Sequence, residues 1–193
     1  MEVARALRAG DVAGIPTDTV YGIAASLDHP EAVRRLAELK GRAAEQPVAL
    51  LIDSVEAVAS HLEDPAVLDR VRRFWPGALT AVVRVRAGFA EGVRTEADTV
   101  GLRQPDDELA RALIRECGGV LAVTSANRHG EPPATSAVEV AAAFGEQVAA
   151  EMLVLDGGLR EGGAASTVVD LTVEPPVVLR EGLVSAAELG LVG

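Results

Sequence analysis

Runs with the spacing of strands alternate along this chain with runs of helical spacing, and no Pro/Ser-rich linker or fixed-period repeat separates them. This alternation is the strongest constraint on the fold, because strands that alternate with helices pack as one layered α/β domain. "PVALLI", "LTAVVRV", "VGLR", "GVLAVTSAN", "MLVLDGG", "STVVDL" and "PVVLR" read as strands, and "GDVAGIPTDTVYG" as a short strand entering a polar turn. Residues 2–9, with Val3, Ala6 and Leu7 on one stripe, predict a helix; so do 30–40, opened by Pro30 and closed by Gly41. "SVEAVASHL", "PAVLDRVRRF", residues 106–116, "TSAVEVAAAF" with Thr135 or Ser136 as N-cap, and a short C-terminal segment predict further helices. The late run of strands argues for a mixed sheet.

Composition narrows the function. Hydrophobic residues make up 49% of the chain but aromatics only 3%, so Ala, Val and Leu must build the core. A net charge of −11 opposes general nucleic-acid binding, which needs a basic face, yet leaves room for a small basic pocket. The single cysteine, Cys117, excludes an internal disulfide and a Cys-based zinc cage. His29, His61 and His129 have no H-x-x-x-H spacing, so no metal site is expected from protein side chains. No Walker loop, Rossmann fingerprint or G-x-S-x-G elbow occurs. Neither an apolar signal core nor a run near the ~20 residues of a membrane span is present, which makes the cytoplasm the default location.

Polar clusters fall where strands end: "PTDT", "KGR", "TVGLRQP", "TSAN", "ASTV" and "LREG". Strand-end loops are where open α/β sheets bind ligands. They hold the cations Lys40, Arg42, Arg103 and Arg180, the hydroxyls of Thr17, Thr19, Thr99, Ser125 and Ser166, and the amide of Asn127. Such a set suits phosphates and a carboxylate, because phosphoryl chemistry needs mainly positioning and charge neutralisation. Lys40 is the only lysine among 18 basic side chains. Its ammonium, a compact point charge, is not interchangeable with a planar guanidinium. Each cluster also has a plain structural reading. "KGR" is equally a solvated helix end, Arg103 a surface partner of Asp106 or Asp107, "FWPGALT" a packing corner around Trp75, and Cys117 a buried small residue. "DGGLREGGAAS" reads as a mobile lid, closing with residues 157–165, or as a glycine-rich loop.

In order, "IPTDTVYGI", "LKGR", "FWPGALT", "VGLRQP", "VTSANRHGEPPAT", "LDGG", "STVVDL" and "VLREG" resemble the YrdC/TsaC family of threonylcarbamoyl-AMP synthases over about residues 10–184. The resemblance implies one α/β domain over 1–193, a twisted, open mixed sheet with flanking helices and a concave cleft. It implies condensation of L-threonine, bicarbonate and ATP, with Mg2+ accompanying the nucleotide, to threonylcarbamoyl-AMP and pyrophosphate. The product would pass to a transferase complex that modifies tRNA. By the same resemblance Lys40, Arg42, Ser125 and Asn127 grip the ATP phosphates, Thr99, Arg180 and Gln46 also contact the nucleotide, and Thr19, Arg103 and Ser166 hold L-threonine. Arg103 would meet the threonine carboxylate, and no protein nucleophile is required.

The chain departs from the family pattern at Asp18 (usually glutamate), Leu51 (often histidine), Pro133 (often serine), Ala165 (often glutamate) and Glu181 (usually proline). Some relatives carry a further C-terminal domain, so this would be a short form. Two alternatives remain at this level: a nucleotide-binding paralogue without threonine activity, motivated by Leu51 and Pro133, and a double-stranded RNA or tRNA-binding module. The acidic charge argues that direct tRNA binding is weak or absent.

Overall fold

The computed structural model describes residues 1–41, 48–161 and 165–191. Eight short strands form one sheet: β1 (Ala13–Ile15), β2 (Gly22–Ala25), β3 (Ala49–Ile52), β4 (Leu79–Arg84), β5 (Thr99–Arg103), β6 (Val120–Ser125), β7 (Thr167–Asp170) and β8 (Val177–Arg180). Their spatial order is β1-β2-β6-β3-β5-β4-β7-β8. β3 with β5 and β4 with β7 are parallel and the other pairs antiparallel, so the sheet is open and mixed as expected. Among the described residues six helices accompany it: α1 (Glu2–Ala9), α2 (Pro30–Lys40), α3 (Glu108–Glu116), α4 (Ala137–Ala143), α5 (Glu146–Glu151) and α6 (Ala186–Leu189).

Strand alternation divides the sheet's side chains between two faces. Leu50, Ile52, Leu79, Ala81, Val83, Val100 and Leu102 enter the main core, where α2 contributes Ala32, Val33 and Leu36. On the other face α1 and α3 bury Leu7, Leu113 and Ile114 against Leu51, Leu121 and Val123. These two helices cover only part of that face. The uncovered part, floored by Ala49, Gly101, Val82 and Val168, is a cleft of about 690 Å³.

Several local expectations are corrected. "SVEAVASHL" and "PAVLDRVRRF" are not α-helices but 3₁₀ turns at Ala59–His61, Pro65–Arg70 and Arg72–Phe74. Leu62 pairs with Val85, and Asp64 before Pro65 and Trp75 before Pro76 are extended, so neither segment can propagate. "MLVLDGG" forms one bridge, Val154 to Gly14, because the polar groups of Gly157 and Gly158 bond to side chains instead. β2 ("GIAA") and α5 were not legible: glycine and alanine give little strand signal, although β2 pairs with β6 along its length. α2 begins at Pro30 and ends at Gly41 (φ 67°) as its punctuation predicts, and Ser136 rather than Thr135 caps α4.

Candidate functional site

The cleft gathers residues that the chain scatters widely. Thr19, Thr99, Arg103, Ser125, Ser166 and Arg180 all line it. Lys40 and Asn127 stand behind Ser125, while Arg42 and Gln46 lie outside the described residues.

Lys40 is not a solvated helix end. It is the last residue of α2, only 1% exposed, and its Nζ donates to Ser125 O and Ser125 Oγ at 2.9 Å each and to Asn127 Oδ1 at 2.7 Å. Asn127 is itself fixed by Nδ2 bonds to Arg128 O and Glu131 O. The K-x-R and S-x-N segments are therefore joined through a buried ammonium. Gly41, in the left-handed conformation, turns the chain out of α2 directly after that clamp.

Arg103 ends β5 and is almost fully buried. Its partner is neither Asp106, which faces Arg111, nor Asp107, which faces Arg160. Nη2 donates to Asp18 Oδ1 at 2.6 Å, Nη1 to Thr19 Oγ1 at 3.2 Å and Nε to Gly77 O at 3.0 Å. The corner "FWPGALT" thus orients this guanidinium as well as packing Trp75, whose Nε1 donates to Leu79 O. Burial pushes the Arg103 guanidinium below the ordinary arginine range; Asp18 opposes that shift and the charge of Arg180 adds to it. Two cations thus share one end of the cleft, a setting that favours an anion.

The hydroxyls form two pairs. Thr17 Oγ1 lies 3.0 Å from Thr19 Oγ1 and also donates to Val20 O, making "PTDTV" a tight turn. Thr99 Oγ1 lies 2.7 Å from Thr95 Oγ1. Arg180, exposed over the residue as a whole, donates from Nη2 and Nε to Ser166 O at 2.8 and 3.2 Å, and partial burial of its guanidinium lowers it below the ordinary range. Thr167 beside Ser166 is fully buried; its Oγ1 donates to Val184 O and accepts from the N–H of Gly182 and Val184. A side chain on Gly182 would put Cβ 2.1 Å from Ala165 O. That explains the glycine in "REG": the loop after β8 lies flat on the loop before β7.

The "LDGG" segment is tied to the first motif. Buried Tyr21 accepts from Gly157 N and donates to Gly158 O at 2.8 Å, while Arg160 pairs with Asp107, the N-cap of α3. Gly157, Gly158 and Arg160 are therefore anchored, and 162–164 lie outside the described residues. Leu51 and Pro133, two departures from the family pattern, line the cleft and leave apolar wall there. The residue reading missed Asp18 as the Arg103 partner and Thr80 in the cleft floor. A carboxylate beside the paired threonines was the available signal for Asp18; nothing local marked Thr80.

Among the described residues, no group of three or more acidic, His or Cys side chains is placed to hold a metal ion, and no helix is long and apolar enough to cross a membrane. Comparison with known proteins then bears on this cleft. The model of the Sua5/YciO/YrdC family, described as "Telomere recombination", matches residues 5–182. A Bacillus subtilis threonylcarbamoyl-AMP synthase is 36% identical over 97% of this chain and 54% of its own length. One from Chromohalobacter salexigens is 36% identical over 86% of this chain and 89% of its own. The crystal structure of P. abyssi Sua5 complexed with L-threonine superposes with a TM-score of 0.88 at 36% identity, covering 98% of this chain and 56% of that one. The chain thus spans about half the length of the Bacillus and Pyrococcus proteins and most of the Chromohalobacter one. With the motifs converging on one cleft and the family model covering nearly the whole sequence, this chain belongs to the Sua5/YciO/YrdC family.

Proposed function

We propose that the chain is an L-threonylcarbamoyladenylate synthase, condensing L-threonine, bicarbonate or CO2 and ATP to threonylcarbamoyl-AMP and pyrophosphate. The observation that carries this reading is the convergence of Arg103, Thr19, Ser166 and Arg180 at one end of the cleft and Ser125 and Thr99 elsewhere along it. Relatives named threonylcarbamoyl-AMP synthase, and a related fold complexed with L-threonine, support it. The threonine amine attacks CO2 to give N-carboxy-threonine, and that carboxylate attacks the α-phosphate in line. Pyrophosphate leaves as a new P–O bond forms, with no protein nucleophile. The protein's work is to hold two anions together and neutralise their charge.

In this reading Lys40, Arg42, Gln46, Thr99, Ser125, Asn127 and Arg180 serve the nucleotide and Thr19, Arg103 and Ser166 the amino acid. Magnesium travels with the triphosphate. The mixed anhydride passes to a tRNA threonylcarbamoyl-transferase, and the enzyme works in the cytoplasm. The deciding measurement is pyrophosphate release from ATP with L-threonine and bicarbonate together and with each omitted. Release that requires both is the expected result. ATP binding without release under any combination sinks the synthase reading and leaves a nucleotide-binding protein.

A further inference from the structure

Thr80, on β4, lines the cleft at 6% exposure, and its Oγ1 lies 2.9 Å from Ser166 Oγ. Ser166 Oγ is also 3.3 Å from Arg180 Nη2, whose guanidinium is held in place by its bonds to Ser166 O. A hydroxyl has one proton to give and two lone pairs to fill. If Arg180 fills one lone pair and the Thr80 proton fills the other, Ser166 can offer the cleft only its proton.

We propose that Thr80 is a positioning residue that makes Ser166 an obligate donor, so that this end of the cleft selects a carboxylate. The inference rests on the synthase reading for the identity of the amino acid. Two features support the proton order. Among the described residues, Ser166 Oγ is the only partner of the Thr80 hydroxyl, so reversing the order leaves the Thr80 proton unused and Ser166 with none to give. With a carboxylate bound at Arg103, both protons gain by pointing toward it, and successive O–H groups polarise one another.

The side-chain torsion of Thr80 is also set. A Cβ at Gly101, on the neighbouring strand β5, would lie 3.0 Å from Thr80 Cγ2. The bare glycine leaves that space to the threonine methyl, and a β-branched side chain seated there holds its Oγ1 on Ser166. A chain of donors ending at Ser166, beside the guanidinium of Arg103, fits the carboxylate of an α-amino acid. Ser166 Oγ itself offers no acceptor to an alcohol or amide in the same place.

The test is calorimetric binding of L-threonine and of L-threoninol, which lacks the carboxylate, to the unmodified chain and to Thr80→Val, Thr80→Ser and Gly101→Ala, with pyrophosphate release as a second readout. For Thr80→Val, loss of one neutral hydrogen bond is expected to weaken L-threonine by about five- to tenfold. L-Threoninol binding and KM for ATP should stay within about twofold. Thr80→Ser, which keeps the hydroxyl but not the methyl that seats it, restores part of the L-threonine affinity. Gly101→Ala, which displaces the Thr80 methyl without removing the hydroxyl, lowers the threonine-to-threoninol ratio in the same sense and serves if Thr80→Val does not fold. Equal weakening of both ligands in Thr80→Val, or an unchanged ratio in a folded variant, overturns the inference while threonine-dependent release in the unmodified chain preserves the synthase reading. No L-threonine binding by the unmodified chain overturns both.

Discussion

At the scale of the residue, the lone lysine is better understood from its surroundings than from its charge. Among the described residues, three oxygen acceptors converge on the Lys40 ammonium inside the protein, so the group welds α2 to the turn after β6. A guanidinium is longer and planar, and cannot fill that three-sided cage without moving Ser125. Lys40→Arg is expected to lower threonine-dependent pyrophosphate release by about 100-fold, the penalty of an ångström-scale misplacement. Near-unmodified turnover would show that the cage tolerates either cation. Asp18 is the counterpart at the other end of the cleft. Asp18→Asn keeps its shape and its Oδ1 acceptor but removes the negative charge from its bond to Arg103, a class of bond worth about 1.5–3 kcal/mol. KM for L-threonine should rise about tenfold or more, with KM for ATP much less affected; equal KM values for threonine would assign Asp18 to packing alone. The sequence exposed Lys40 by its rarity and Arg103 by its motif. It hid the acceptors of Lys40 and the carboxylate of Arg103, which lie 85 and more positions away along the chain.

At the scale of the element, the ends decide more than the middles. α2 was legible because proline opens it and glycine closes it; residues 54–74 misled because helical spacing of apolar residues also suits stacked 3₁₀ turns between prolines. The contact between the loops flanking β7 and β8 rests on Gly182. Gly182→Ala should cost about 1–3 kcal/mol through overpacking. Each kcal/mol lowers the unfolding temperature by about 2–4 °C in a chain of this size, so thermal unfolding without ligand reads it directly. Helix caps carry a pH signature. Bonds from the Thr135 backbone and hydroxyl hold the Glu139 carboxyl below its ordinary 4.5, and bonds from Ser185 do the same for Glu188. A carboxyl depressed in the folded state stabilises above its unfolded value, and that contribution disappears as pH falls through the folded one. The unfolding temperature should therefore be flat with respect to these groups above about pH 5 and fall below 4.5, less steeply in Glu139→Gln. An identical acid arm in that variant would remove Glu139 from the account.

At the scale of the whole molecule, one sheet face is divided between helices α1 and α3 and an open floor. The class of fold was legible from the alternation of strands and helices, but the strand order was not, since a linear pattern does not say which strands become neighbours. An open floor flanked by buried cations is stabilised by the ligand that fills it. Saturation with ATP at about 100 times its Kd should add about 2.7 kcal/mol to the stability and raise the unfolding temperature by roughly 5–10 °C. No shift at saturating nucleotide would mean that the cleft does not hold ATP. The strand order has a further consequence for biosynthesis. β4 and β5 are neighbours early in the chain, yet β4's other neighbour is β7, and the Lys40 clamp closes only on residues beyond 120. A nascent chain emerging from the ribosome therefore carries Lys40 long before Ser125 and Asn127 exist, whereas Arg103 emerges with Asp18, Thr19 and Gly77 already made. Substrate cannot template folding from the N-terminal end, and the catalytic cleft assembles only after Arg180 has been translated.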